Sequence, residues 1–151
     1  MSMAEHKQKS SAESVIDADN CIAGRLASVV AKRLLSGETI HVVNAEKAIV
    51  SGNPDATFAF FEQKIKRGDS YHGPFYPKNA DAILRRIVRG MLPYKKPHGK
   101  DAYKRLRVYV SVPAELKGRK AEVVETAKNR LDHKFTTMSK IVEKVGNKVE
   151  L

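Results

Sequence analysis

Apolar and polar positions along this chain switch between two periods, and the switches outline its elements. Residues 14–19 are a short mixed run with Val15 and Ile16 inside it, which predicts a first strand. Ile22, Leu26, Val29, Val30 and Leu34 then fall along one side of a helix over 22–36, while Arg25, Ser28 and Lys32 share a different face. Gly37 stands where a helix C-terminal cap belongs. Residues 39–43 are rich in β-branched side chains and predict a second strand; 48–50 predict a third, closed by Ser51-Gly52. Strand, helix and strand with short joints make a βαβ unit, hence a parallel sheet.

Asn53-Pro54-Asp55 is a helix start, with a cap residue, Pro at the first helical position and an acid in the first turn. The helix it opens carries Phe58, Phe61 and Ile65 and ends near Arg67-Gly68. Residues 68–77 hold Gly68, Gly73, Pro74 and Pro77 with four rings between them, so a loop is expected there, with Phe75 packed on the core. Asn79 is expected to cap a helix that Pro93 stops. On that helix Ile83, Leu84, Ile87, Val88 and Met91 gather on one side and Arg85, Arg86 and Arg89 on the other. Residues 93–104 read as a basic loop. Leu106, Val108 and Val110 alternate with polar neighbours in a last strand. A helical turn is expected at 113–116, and a short C-terminal helix at 137–145 ended by Gly146. The whole predicts an α/β fold in which residues 14–151 form one domain behind a flexible tail, 1–13.

Charge changes the picture. Residues 64–107 hold thirteen Lys and Arg against three acids, a net +10 out of +11 for the chain. A focused positive block is the footprint of a polyanion, because each phosphate contact releases a condensed counterion. A surface that only kept the protein soluble would intersperse both signs. One cysteine, Cys21, leaves no disulfide framework, and the five histidines lack metal-ligand spacing, so no metal or cofactor is expected. No apolar run approaches the ~20 residues that span a bilayer, and the first fourteen residues have no apolar core of a secretory signal.

No catalytic constellation emerges from spacing. Asp17 and Asp19 read as a strand end beside a turn. Gly24 alone cannot make a dinucleotide fingerprint, and Gly99-Lys100 is preceded by Tyr94 and followed by Asp101 where a phosphate loop needs Gly and Ser or Thr. Nucleic acid fits the basic parts better. Guanidinium groups bind phosphates in a bidentate way and stack on bases, and Tyr71, His72, Tyr94 and His98 lie among the cations. No helix-turn-helix, zinc finger or RNP signature appears, which points to a folded RNA recognised by shape.

Five pieces of the chain resemble the family of large-subunit ribosomal protein 13. They are Asp19-Asn20 with Gly24-Arg25-Leu26-Ala27-Ser28; Val42-Val43-Asn44-Ala45-Glu46-Lys47; Ser51-Gly52-Asn53; Arg89-Gly90-Met91-Leu92-Pro93; and Leu106-Arg107-Val108-Tyr109. They stand in the family's order over about residues 15–112, and the short C-terminus is similar to the archaeal branch. Lys100 stands where many members have Arg, and residues 113–151 match only loosely. The resemblance implies a three-layer α/β/α sandwich with a four-stranded, mostly parallel sheet, basic loops and a short helical C-terminus. It implies a cytoplasmic structural and assembly component of the large subunit, without catalysis, small-molecule substrate or membrane. Its expected partners are large-subunit ribosomal RNA and neighbouring ribosomal proteins. The expected RNA contacts are Arg25, Lys66, Arg67, Tyr71, His72, Lys78, Arg85, Arg86, Arg89, Tyr94, Lys95, Lys96, His98, Lys100, Lys104 and Arg105. Two other classes remain open: a free regulatory RNA-binding protein, and a nucleotide-dependent enzyme using the first βα turn.

Overall fold

The computed structural model describes residues 12–69 and 71–145; most of the expected tail, and Gly146, lie outside them. Four strands, β1 (Glu13–Asp17), β2 (Thr39–Val43), β4 (Leu106–Val108) and β5 (Glu122–Val123), form one parallel sheet in the order β4-β2-β1-β5. Glu13 faces Thr39 and Ile40 faces Leu106 in register. Helix α1 (Ala23–Leu35) crosses between β1 and β2, as the βαβ reading expects. Strand β3 (Ile49–Ser51) departs from that reading. It leaves the main sheet and pairs antiparallel with β6 (Phe135–Thr137), in a two-stranded ribbon.

Alternation along β1 and β2 divides two cores. Ile16, Ile40 and Val42 point into the main core with Leu106, under α1, α3 (Ala80–Gly90) and α4 (Pro97–Lys104). Val15 and Val43 point the other way and are covered by Leu116 from the single helical turn Ala114–Leu116. Helix α2 (Pro54–Lys66) packs on α5 (Met138–Val145), beside the small ribbon.

Local chemistry accounts for the ends. Gly37 takes φ +105°, and its N–H donates to the Leu34 carbonyl at 3.1 Å. Arg105 Nη2 donates to the same carbonyl at 2.7 Å, so a cation also satisfies the negative end of α1. Asn53 caps α2 by accepting from the Asp55 N–H at 3.1 Å. Asn79 holds the extended cap conformation before α3, but its side chain makes no cap bond. Asp17 Oδ1 accepts from the Asp19 N–H at 2.9 Å, so that acid pair is a turn beside a strand end.

Four expectations are corrected here. Residues 93–104 are a turn followed by helix α4 rather than a basic loop. Pro97 and Gly99 look like breakers. Yet Pro97 occupies the first helical position, where its missing N–H is harmless, and Gly99 is where the helix meets the Pro93 carbonyl, with no room for a Cβ. Met91 lies past the end of α3 and is exposed instead of joining its apolar stripe. Strand β4 stops at Val108, because the chain turns at Ser111 (φ +62°), whose N–H is held by Glu46 Oε2 at 3.0 Å; Val110 is therefore exposed. Nor is β4 the last strand, since β5 and β6 follow it.

Candidate nucleic-acid interface

Buried Ile83, Leu84 and Val88 orient α3 and turn Arg85, Arg86 and Arg89 away from the core. The arginines are half-buried, because each guanidinium lies over a ring. Arg85 lies over Tyr103 at 4.8 Å, Arg86 over Tyr76 at 5.8 Å and Arg89 over Tyr94 at 4.5 Å. Tyr94 and Tyr103 meet edge to face, 5.6 Å between centroids. A cation over a ring face is attracted by the ring's quadrupole, and that contact does not use up the N–H donors of the guanidinium. Arg85 Nε is buried with no acceptor among the described residues.

Loop 71–77 completes this surface. Tyr76 is the ring that reaches the core, 6.3 Å from Phe61. Phe75 therefore does not pack inward as expected; it is 68% exposed, at the edge of a hollow of about 330 Å³ that Arg85, Arg86 and Arg89 share with Tyr76 and Tyr103. Burial pushes the Tyr76 hydroxyl's pKa up, against the opposing Arg86 charge, so the ring stays neutral.

A second, larger hollow of about 810 Å³ lies between the start of α1, strand β3, α2 and α3. Arg25, Lys64, Arg67 and Arg86 stand along it, and Arg86 belongs to both hollows. Lys64 was not among the expected contacts. Its Nζ lies 4.8 Å from the Phe60 centroid and 5.5 Å from that of Tyr76. The i, i+4 spacing of Phe60 and Lys64 on α2 was the available signal.

The structure thus joins Arg25, Arg67, Arg85, Arg86, Arg89 and Tyr94 into one continuous region. The other expected contacts stand apart from these hollows. Lys95, Lys96, His98, Lys100 and Lys104 are exposed on α4 and the turn before it. Tyr71 is exposed, and His72 Nδ1 lies 3.3 Å from Asp69 Oδ2. Lys78 is exposed in the approach to α3. Lys66 pairs with Glu62 at 2.6 Å, and that bond lowers the Glu62 pKa. Arg105 is engaged with the end of α1.

Residues 11–115 match the family described as ribosomal protein L13. The chain belongs to the ribosomal protein L13 family. It is similar to the large ribosomal subunit protein uL13 of Methanosarcina barkeri, 47% identical over 89% of this chain and 98% of the relative. The uL13 of Methanopyrus kandleri is 48% identical over 87% of this chain and 86% of its own length. That of Halobacterium salinarum is 42% identical over 99% of both. Every expected contact lies within the stretch that matches the L13 family, and so do both hollows and the rings beneath the arginines. No helix among the described residues is long and apolar enough to cross a membrane.

Proposed function

We propose that residues 64–107, joined by Arg25, bind large-subunit ribosomal RNA, and that through this surface the chain serves as a structural constituent of the large ribosomal subunit. The relatives are named large ribosomal subunit proteins, and L13 membership carries assembly and translation in the cytoplasm rather than catalysis. Neighbouring ribosomal proteins would meet the remaining surface. Residues 14–151 are read as one working unit, supported by a main core that runs from Ile16 to Ile141.

The arginine stripe of α3 carries the reading. Three guanidinium groups fixed over rings, with a second cationic hollow adjoining at Arg86, suit a bent phosphate backbone with unstacked bases. Exposed Lys95, Lys96, His98, Lys100 and Lys104 extend the positive surface as point charges. Fractionation of cell lysate on a sucrose gradient tests the function. The tagged chain should travel with the large subunit, and Arg85→Ala/Arg86→Ala/Arg89→Ala should move most of it to the top while still folding. Co-sedimentation of the triple variant at wild-type level would contradict the assignment of the stripe.

A further inference from the structure

Two helical glycines face the larger hollow, and the fold gives no reason for either. Gly24 lies in the first turn of α1 and Gly90 is the last residue of α3. Neither has the positive φ that calls for glycine, unlike Gly37 or Gly68. A Cβ at either position would meet nothing within 4 Å, whereas a Cβ at Gly99 would strike Pro93. Glycine is a poor helix former beside alanine, so open space at a helical glycine points to close approach by something outside the chain.

The lining says what approaches. The walls are apolar, with Val50 and Ile87 half-buried and Phe60 51% exposed. Arg25, Lys64, Arg67 and Arg86 stand around them, and no acid lines the hollow among the described residues. The first turn of α1 has no acid and no side-chain cap, so its backbone N–H groups add to the positive field. An apolar protein side chain would not call for four cations. The volume, about 810 Å³, is in the range of small-ligand sites.

We propose that this groove receives one unpaired nucleotide extruded from the bound RNA. Its base lies against Phe60 and Ile87, its sugar passes over Gly24 and Gly90, and its flanking phosphates meet Arg25, Arg67 and Arg86. This rests on the RNA-binding reading and deepens it: the α3 stripe holds backbone, and the groove holds a base by stacking and apolar contact.

Gly24→Leu and Gly90→Leu fill the groove without removing a charge. Both should unfold at the wild-type temperature or above it. Both should bind a large-subunit ribosomal RNA transcript on the order of tenfold more weakly, the size of one lost base contact. The salt dependence should stay unchanged within about one unit of slope. Gly24→Ala should fall between. If a leucine variant misfolds, a benzophenone amino acid replacing Phe60 in assembled large subunits provides the second reading, and its crosslink should map to a single RNA nucleotide. Two results would overturn the groove and leave the interface standing. One is wild-type RNA binding by both leucine variants while Arg85→Ala/Arg86→Ala/Arg89→Ala loses affinity; the other is a crosslink from position 60 into a ribosomal protein. Wild-type binding by the triple arginine variant as well would remove the interface reading itself.

Discussion

Arg89 and Arg105 belong to the same basic run but are held in different ways. The Arg89 guanidinium lies over Tyr94, 4.5 Å from the ring centroid, where a planar cation can add stacking to the charge–ring attraction. Arg89→Lys keeps the charge and loses the plane. RNA affinity should drop by about 0.5–1 kcal/mol with the salt slope unchanged, read by filter binding at several salt concentrations. Arg105 instead donates to the Leu34 carbonyl at the end of α1. Arg105→Met should lower folding stability by about 1.5–3 kcal/mol in urea titration, the usual loss for a charge-assisted bond, and leave RNA affinity nearly unchanged at matched folded fraction. Sequence alone could not separate these two settings. Both arginines sit in the same basic run, and only the return of β4 beside β2 brings Arg105 under the end of α1.

At the scale of elements, α1 and α3 were legible from the period of their apolar positions, α2 from its Asn53-Pro54-Asp55 start with Phe58, Phe61 and Ile65 behind it, and β2 from its β-branched side chains. The Thr39–Val43 boundaries match those expected, and α1 falls within one residue at either end. Helix α4 was hidden by its own composition. Pro97 and Gly99 signal a loop locally, and the reason each is tolerated lies in position and in contact with Pro93, which no periodicity reports. Strands β5 and β6 were missed because two- and three-residue segments carry no readable alternation; partners from β1 and β3 create them. The helical reading of 97–104 has its own test. Gly99→Ala should destabilise the protein by about 1–3 kcal/mol, because the added methyl strikes the Pro93 backbone. Limited proteolysis with trypsin should cut after Lys95 or Lys100 unequally: the turn holding Lys95 should be cleaved early, and Lys100, inside α4, late. Equal early cleavage at both would restore the loop that the composition suggested.

For the whole molecule, charge was the most legible property and the hollows were the least. The block at 64–107 points to a polyanionic partner by its charge alone. The arginine stripe followed from α3's period. The rings beneath it did not: Tyr76 and Tyr103 come from a loop and from an unexpected helix, and they meet α3 only through tertiary packing. The larger hollow joins the start of α1 to the ends of α2 and α3, positions as distant in the chain as Gly24, Arg67 and Gly90. The central claim is that this charge is used on phosphates, and the salt dependence of RNA affinity measures that use directly. With about six of the thirteen cations on phosphates, log K against log salt should fall with a slope of about −4 to −5 for a large-subunit ribosomal RNA transcript. Lys95→Ala or Lys96→Ala should each reduce it by a little under one unit. A slope shallower than about −2 would show that most of the charge of residues 64–107 never meets RNA, and would contradict the account.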